Sequence, residues 1–79
     1  MAPGTDPART VAIRDASIRL GQLLKLADLV DDGSQAKDVL MRGLVRVDGE
    51  IETRRGRQLV PGNTVTVSGQ TVGITSHRH

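Results

Sequence analysis

Apolar residues recur at helical spacing in the first half of the chain. Five of them follow the i, i+3, i+4, i+7 and i+10 spacing that gathers side chains on one face of a helix. These are Leu20, Leu23, Leu24, Ala27 and Val30. Leu26 and Leu29 widen the face, so we expect a well-buried first helix. Ser17 is a candidate N-cap for it, although Ile18 and Arg19 could equally be extended.

A second, shorter helix follows a break at Asp31-Asp32-Gly33. Ser34 can cap it, because a serine hydroxyl accepts a hydrogen bond from the free N–H groups of a first helical turn. The predicted helix covers about residues 35–42. Gly43 stands where a left-handed residue commonly ends a helix.

After Gly43 the apolar period changes to two, which is typical of strands. Asp48-Gly49 lies between residues 44–47 and 50–53 and is a strong signal for a two-residue hairpin. Further short strands are predicted at 11–13, 58–60, 64–67 and 71–75. The prediction is an α+β fold, with a helix pair packed against one face of a small antiparallel sheet.

The composition indicates one small domain. The chain has 79 residues and contains no cysteine and no aromatic residue, so disulfides and thiolate metal sites are excluded. We expect flexible tails at residues 1–10 and 76–79 and a folded domain at 11–75. No apolar run approaches the roughly 20 residues of a membrane span, and no signal peptide is apparent. A cytoplasmic protein is expected.

Charge is segregated along the chain, although the formal net charge is only +2. Residues 9–25 carry four basic side chains against one acidic side chain. Residues 26–38 carry four aspartates against one lysine. Residues 39–57 carry five arginines against three acidic side chains. Basic blocks of this kind suit a polyanionic partner.

The start of the second helix is a candidate phosphate site. Its first N–H groups lie around Ser34, Gln35 and Ala36, with Lys37 beside them, and the helix dipole favours an anion there. Arg42 follows at the far end of the same helix.

Further arginines continue the basic character. Arg46 alternates with Val45 and Val47 and should point to the opposite side of the strand. Arg54, Arg55 and Arg57 form a basic loop, and guanidinium groups suit bidentate phosphate contacts. We expect this loop to become ordered only on binding, which would offset part of the gain from each contact.

The residues give little support to an enzyme. Asp28, Asp31 and Asp32 could hold a cation only weakly, and His77 and His79 lack further ligands. No pairing of nucleophile and base is visible, so neither catalysis nor a cofactor is expected. The absence of aromatic side chains removes the usual stacking platforms for single-stranded RNA. A nucleic-acid role would therefore rely on phosphate contacts and on the shape of folded RNA.

The order of motifs resembles an S4 RNA-binding domain, most closely the small stand-alone bacterial S4-domain proteins. The similarity lies in residues 18–25, 33–37, 43–49, 52–55 and 61–63, and it covers about residues 11–75. The family implies an RNA-binding surface made of two helices and the following turn, the αL motif. The RNA-binding residues that it implies are Arg19, Lys25, Ser34, Gln35, Lys37, Arg42, Arg46, Arg54, Arg55 and Arg57.

The resemblance implies structured RNA, ribosomal or transfer, as the partner, with the ribosome as its setting and a monomeric protein. Asp48 stands where many S4 domains have asparagine, and its negative charge argues against a contact with RNA.

Two other classes remain open. One is a protein-binding adaptor that uses the acidic segment from Asp28 to Asp38. The other is a β-grasp carrier, which would need a terminal Gly-Gly in place of residues 76–79.

Overall fold

The computed structural model describes residues 9–77, and they form two helices and seven short strands. In chain order these are β1 (Arg9–Ile13), β2 (Ile18–Arg19), α1 (Leu20–Leu26), α2 (Gly33–Met41), β3 (Val45–Val47), β4 (Glu50–Ile51), β5 (Gln58–Leu59), β6 (Thr64–Val67) and β7 (Gln70–Ser76). The predicted α+β class is confirmed.

The main sheet has five strands in the order β1-β7-β6-β3-β4, and β2 pairs separately with β5. Contrary to the prediction of an antiparallel sheet, β1 runs parallel to β7, with Val11 opposite Ile74. A parallel pair needs a long connection, and here nearly the whole domain connects the two strands. The paired strands β1 and β7 begin at Arg9 and end at Ser76, so they reach past the expected domain limits of residues 11 and 75. The remainder of the two predicted tails, residues 1–8 and 78–79, lies outside the described residues.

Both helices pack on one face of the sheet, and a single aliphatic cluster joins them to it. The five residues with helical spacing are all buried, as predicted. However, α1 ends at Leu26, whose side chain is 57% exposed, so the expected wider apolar face is wrong at this residue. Asp28 adopts a left-handed φ of 59°, and this turn lets Ala27 and Val30 reach the core from outside the helix.

The ends of α2 differ from the prediction at one terminus. Asp32, not Ser34, is the N-cap, and its carboxylate accepts a hydrogen bond from the N–H of Gln35 (2.9 Å). At the other end, Gly43 has a φ of 71°, as predicted, and its N–H donates to the carbonyl of Leu40.

The Asp48-Gly49 hairpin is confirmed, with φ values of 53° and 87° at the two turn residues. The Asp48 carboxylate also accepts hydrogen bonds from the N–H of Thr64 (2.9 Å) and the side-chain amide of Asn63 (2.7 Å). Asp48 thus connects two turns of the sheet and has a structural role.

We expect Gly49→Ala to lower the free energy of unfolding by about 1–2 kcal/mol, because an L side chain in the left-handed region costs that much. No atom lies within 4 Å of the Cβ that alanine would add, so the cost would come from the backbone alone. Urea unfolding measures it. Gly33→Ala is the matched control, since Gly33 also has open space around it but no positive φ. Equal stability of the two variants would contradict the role of Gly49.

Candidate nucleic-acid interface

The basic loop at residues 54–57 is fastened to the start of α1. The N–H of Leu20 donates to the carbonyl of Arg57 (2.8 Å), and the N–H of Gly21 donates to that of Arg55 (3.0 Å). These bonds satisfy N–H groups that a helix leaves free at its start. The N-cap residue Arg19 forms no side-chain capping bond. The hydroxyl of Ser17, predicted as a cap, instead bonds to the side-chain oxygen of Gln58.

Glu52 holds the same loop from the other side. Its carboxylate is only 9% exposed and accepts five hydrogen bonds, two from backbone N–H groups and three from guanidinium groups. Arg54 contributes its N–H and two side-chain bonds, Thr53 contributes its N–H, and Nη1 of Arg57 lies 2.7 Å from Oε1. The loop is therefore already fixed in the free protein, and the expectation that it becomes ordered only on binding is wrong.

The environment of Glu52 favours its charged form. Hydrogen bonds from the side chain and backbone of Arg54, together with that of Arg57, hold the pKa of Glu52 far below its ordinary value of 4.5. Burial acts in the opposite direction but is outweighed. Glu52 is thus an anion that organises two cations at every pH near neutrality.

Arg55 lies against Gly21 at the start of α1. A Cβ on Gly21 would come within 2.5 Å of the Arg55 Cγ and 3.2 Å of its Cδ. Only glycine therefore allows the stem of Arg55 to pass over the helix at this distance. The close approach directs Arg55 across the gap between the two helices.

Two cavities meet at Arg55. One of about 200 Å³ lies between α1 and α2 and includes Arg19, Lys25 and Arg55 among its lining residues. The other, of about 260 Å³, lies against α2 and is lined by Lys37, Leu40, Met41, Thr53 and Arg55. Neither has an acidic residue in its lining.

We call the side chains of Arg19, Lys25, Lys37 and Arg55 the basic cleft. All four residues are exposed. Within residues 9–77 none of their side chains forms an ion pair or a hydrogen bond. Four uncompensated cations around a concave surface suit a polyanion.

The other residues expected at the interface have different surroundings. Arg42 forms an exposed ion pair with Asp38, with 3.2 Å between Nε and Oδ1. Arg46 lies on the face of the sheet that points away from the helices, and its Nη1 bonds to the carbonyl of Gly49. The structure therefore does not bring Arg46 together with the basic cleft.

At the predicted phosphate site at the start of α2, the protein itself already uses one of the N–H groups. The Asp32 carboxylate already occupies the N–H of Gln35, and the N–H of Ala36 donates to the Asp32 carbonyl. An anion there would displace one carboxylate and face a second, Asp31, nearby in the chain. Ser34 and Gln35 remain exposed at the rim of this turn.

A further cavity, of about 730 Å³, lies beside α1 between that helix and the link from β1 to β2. Arg14, Asp15 and Leu26 are among its lining residues. Its mixture of acidic, basic and apolar side chains does not define an anion site, so we place the candidate interface at the basic cleft.

Sequence reasoning missed Glu52 and Gly21 as parts of the site. Glu52 fell in a predicted strand, and the strand pattern indicated no partner for its carboxylate. Its partners, Arg54 and Arg57, lie in the loop that follows and folds back onto it. The Gly21 contact depends on the same loop. The one available signal was a glutamate two residues before a cluster of arginines.

Among residues 9–77 no helix is long and apolar enough to cross a membrane. The same part of the chain contains no group of three or more side chains suited to holding a metal ion.

Comparison with known proteins identifies the class. Residues 11–75 match the S4 domain. The chain is 39% identical over 59 residues to YbcJ of Escherichia coli strain K12, covering 75% of this chain and 84% of that protein. It is 42% identical over 62 residues to RlbA of Bacillus subtilis strain 168, named as a probable ribosome maturation protein, covering 78% and 87%.

Solved structures agree. The solution structure of E. coli YbcJ, described as revealing an αL motif involved in RNA binding, superposes with a TM-score of 0.69 at 32% identity, covering 96% of this chain and 98% of that one. Ribosomal protein S4e from Thermoplasma acidophilum shares the fold, with a TM-score of 0.56 at 24% identity over 73% of this chain and 31% of its own. The chain belongs to the S4 domain family.

The low pKa of Glu52 predicts acid-sensitive stability. We expect Glu52→Gln to lower the urea midpoint at pH 7, and this deficit to shrink as the pH falls below 4.5. Below pH 4.5, Glu52 takes up a proton in the unfolded parent but stays ionised in the folded parent, so protonation stabilises the unfolded state. The Glu52→Gln variant has no carboxyl group at this position and loses no stability in this way. Glu50→Gln, an exposed neighbour, should follow the parent throughout. A deficit of Glu52→Gln that stays constant from pH 7 to pH 3 would contradict the assignment.

Proposed function

We propose that the protein binds structured RNA through the basic cleft. One observation carries the proposal. Four cations that are unpaired within residues 9–77 line two neighbouring cavities that share Arg55, and the loop that supplies Arg55 is held in place before any ligand arrives. Preorganisation lowers the entropy cost of binding, so each phosphate contact retains more of its energy.

The chemistry of the surface favours folded RNA. The chain has no aromatic residue on which successive bases of a single strand could stack. Cations fixed on rigid elements instead match a fixed pattern of phosphates, which a helical or compactly folded RNA presents. We infer a binding protein rather than an enzyme.

The names and descriptions of two relatives also support RNA binding. YbcJ is described as having an αL motif involved in RNA binding, and RlbA is named as a probable ribosome maturation protein. We therefore propose ribosomal RNA as the first RNA to test, with transfer RNA second. We also propose that the protein is cytoplasmic and acts as a monomer.

The ten residues expected to bind RNA divide into four groups by their surroundings in the structure. The basic cleft is proposed to make the main phosphate contacts. Arg54 is 73% exposed and keeps unused N–H donors beside its bonds to Glu52, so we propose it as a secondary contact. The exposed residues Arg42, Ser34 and Gln35 are proposed as secondary contacts too. Arg57 is more enclosed and mainly structural. Arg46 is left out of the proposed surface.

The adaptor alternative has weaker support. Of the four aspartates between residues 28 and 38, Asp32 caps α2 and Asp38 pairs with Arg42. The acidic segment therefore presents fewer free charges than its sequence suggests.

Binding should depend strongly on salt. With about four phosphate contacts, the logarithm of the association constant should fall against the logarithm of salt concentration with a slope of about −3. Lys37→Ala and Arg55→Ala should each reduce the steepness by about 1, because each removes one released counterion. A titration of a ribosomal RNA hairpin at several salt concentrations measures this.

Arg46→Ala is the matched control for these variants. It removes the same charge from the opposite face of the sheet and should leave the slope unchanged. A parent slope near zero, or an equal effect of all three substitutions, would count against the basic cleft.

Glu52→Gln tests the preorganised loop in a way that separates it from net charge. The substitution makes the protein more positive, so simple electrostatics predicts tighter RNA binding. We expect weaker binding, because release of Arg54 and Arg57 lets the loop and Arg55 move. Glu50→Gln removes the same charge two residues away and should bind RNA equally or more tightly. If Glu52→Gln binds more tightly than the parent, the loop does not depend on this carboxylate.

A further inference from the structure

The cavity beside α2 differs from the cavity between the helices because large apolar side chains line it. Met41 is 73% exposed, the most exposed of the large apolar residues within residues 9–77. Leu40 lies buried behind it, and Thr53 completes one wall. An exposed methionine on a helix face that also carries Lys37 is not explained by phosphate contacts.

The position of Met41 makes it part of the proposed surface. Lys37 and Met41 are four residues apart on α2, so they lie on one face of the helix one turn apart. Both line the same cavity as Arg55. Arg55 also lines the cavity between the helices, which contains Arg19 and Lys25 and no large apolar side chain. The stem of Arg55 therefore lies between a cavity lined by cations, Gln22 and small residues and a cavity that also contains Leu40 and Met41.

We propose that the compartment formed by Lys37, Leu40, Met41, Thr53 and Arg55 holds one unpaired nucleobase of the bound RNA. This inference rests on the proposed function and adds the class of RNA: a helix interrupted by a bulged or flipped-out nucleotide. The base lies against Met41, and the adjoining phosphates lie on Lys37 and beside Arg19 and Lys25 in the cavity between the helices.

Three physical features favour a base over another occupant. A thioether is polarisable and makes favourable contacts with aromatic rings, and a base is an aromatic ring. A guanidinium plane can stack on a base, as Arg55 at the cavity edge would. The two cations at the opening suit an occupant that carries phosphates, and no acidic residue in the lining opposes it.

The test compares three RNA hairpins that share one stem: fully paired, with a one-nucleotide bulge, and with an abasic bulge. The abasic bulge keeps the backbone and phosphates but removes the base. We expect the parent to bind the base-containing bulge at least about threefold more tightly than the abasic one. Met41→Ala should abolish this preference, so that the variant binds the base-containing and abasic bulges equally. Leu26→Ala, another exposed apolar residue on a helix, should keep the preference.

A direct readout is available because the chain has only two methionines, Met1 and Met41. The Met41 methyl signal in a ¹³C NMR spectrum, assigned by its loss in Met41→Ala, should shift with the bulged hairpin and move little with the abasic one. The inference is overturned if RNA binds but the parent does not distinguish base from abasic site, or if Met41→Ala retains the preference. No binding to any of the three hairpins would instead overturn the proposed function.

Discussion

The ion pairs of Glu52 with Arg54 and Arg57 hold the loop that brings Arg55 to the basic cleft. A carboxylate that is 9% exposed would destabilise the fold if it lacked partners, but here both oxygens are engaged by charged donors and backbone N–H groups. These bonds close the chain into a tight loop after β4. The carbonyls of Arg55 and Arg57 are thereby presented to the start of α1, where they replace the side-chain cap that this helix lacks.

This arrangement uses a negative charge and two arginines to position a third. On charge alone, an acidic residue beside the basic cleft would weaken the attraction of this surface for a polyanion. However, a flexible loop of three arginines would lose conformational entropy at each contact, whereas the fixed loop has lost it on folding. Arg54 and Arg57 keep their positive charge while they hold the loop, so residues 52–57 remain net basic. Arg55, supported by Gly21, carries a guanidinium that no residue in 9–77 neutralises.

Local patterns in the sequence predicted most of the fold. The buried faces of both helices, the left-handed Gly43 and the Asp48-Gly49 hairpin all depend on neighbouring residues, so spacing was sufficient to find them. Parallel pairing of β1 with β7 could not be predicted, because it joins the two ends of the domain. The N-cap was misassigned by two residues, since Asp32 and Ser34 are both good acceptors and only the backbone geometry selects between them. At the site, residue type identified the cations, but long-range packing decided that Arg46 and Arg55 lie on different surfaces.

The short first helix depends for its stability on the loop that carries Arg55. A helix of seven residues is not stable alone in water, so α1 depends on its buried leucines and on the loop that caps it. The backbone of residues 55 and 57 therefore serves α1, while the side chain of Arg55 faces the cleft. A ligand that engages Arg55 and Lys25 contacts the loop and the helix together and favours the state in which they are joined. Binding to that state alone stabilises it by mass action, which means that the same few residues determine both the order of α1 and the shape of the basic cleft.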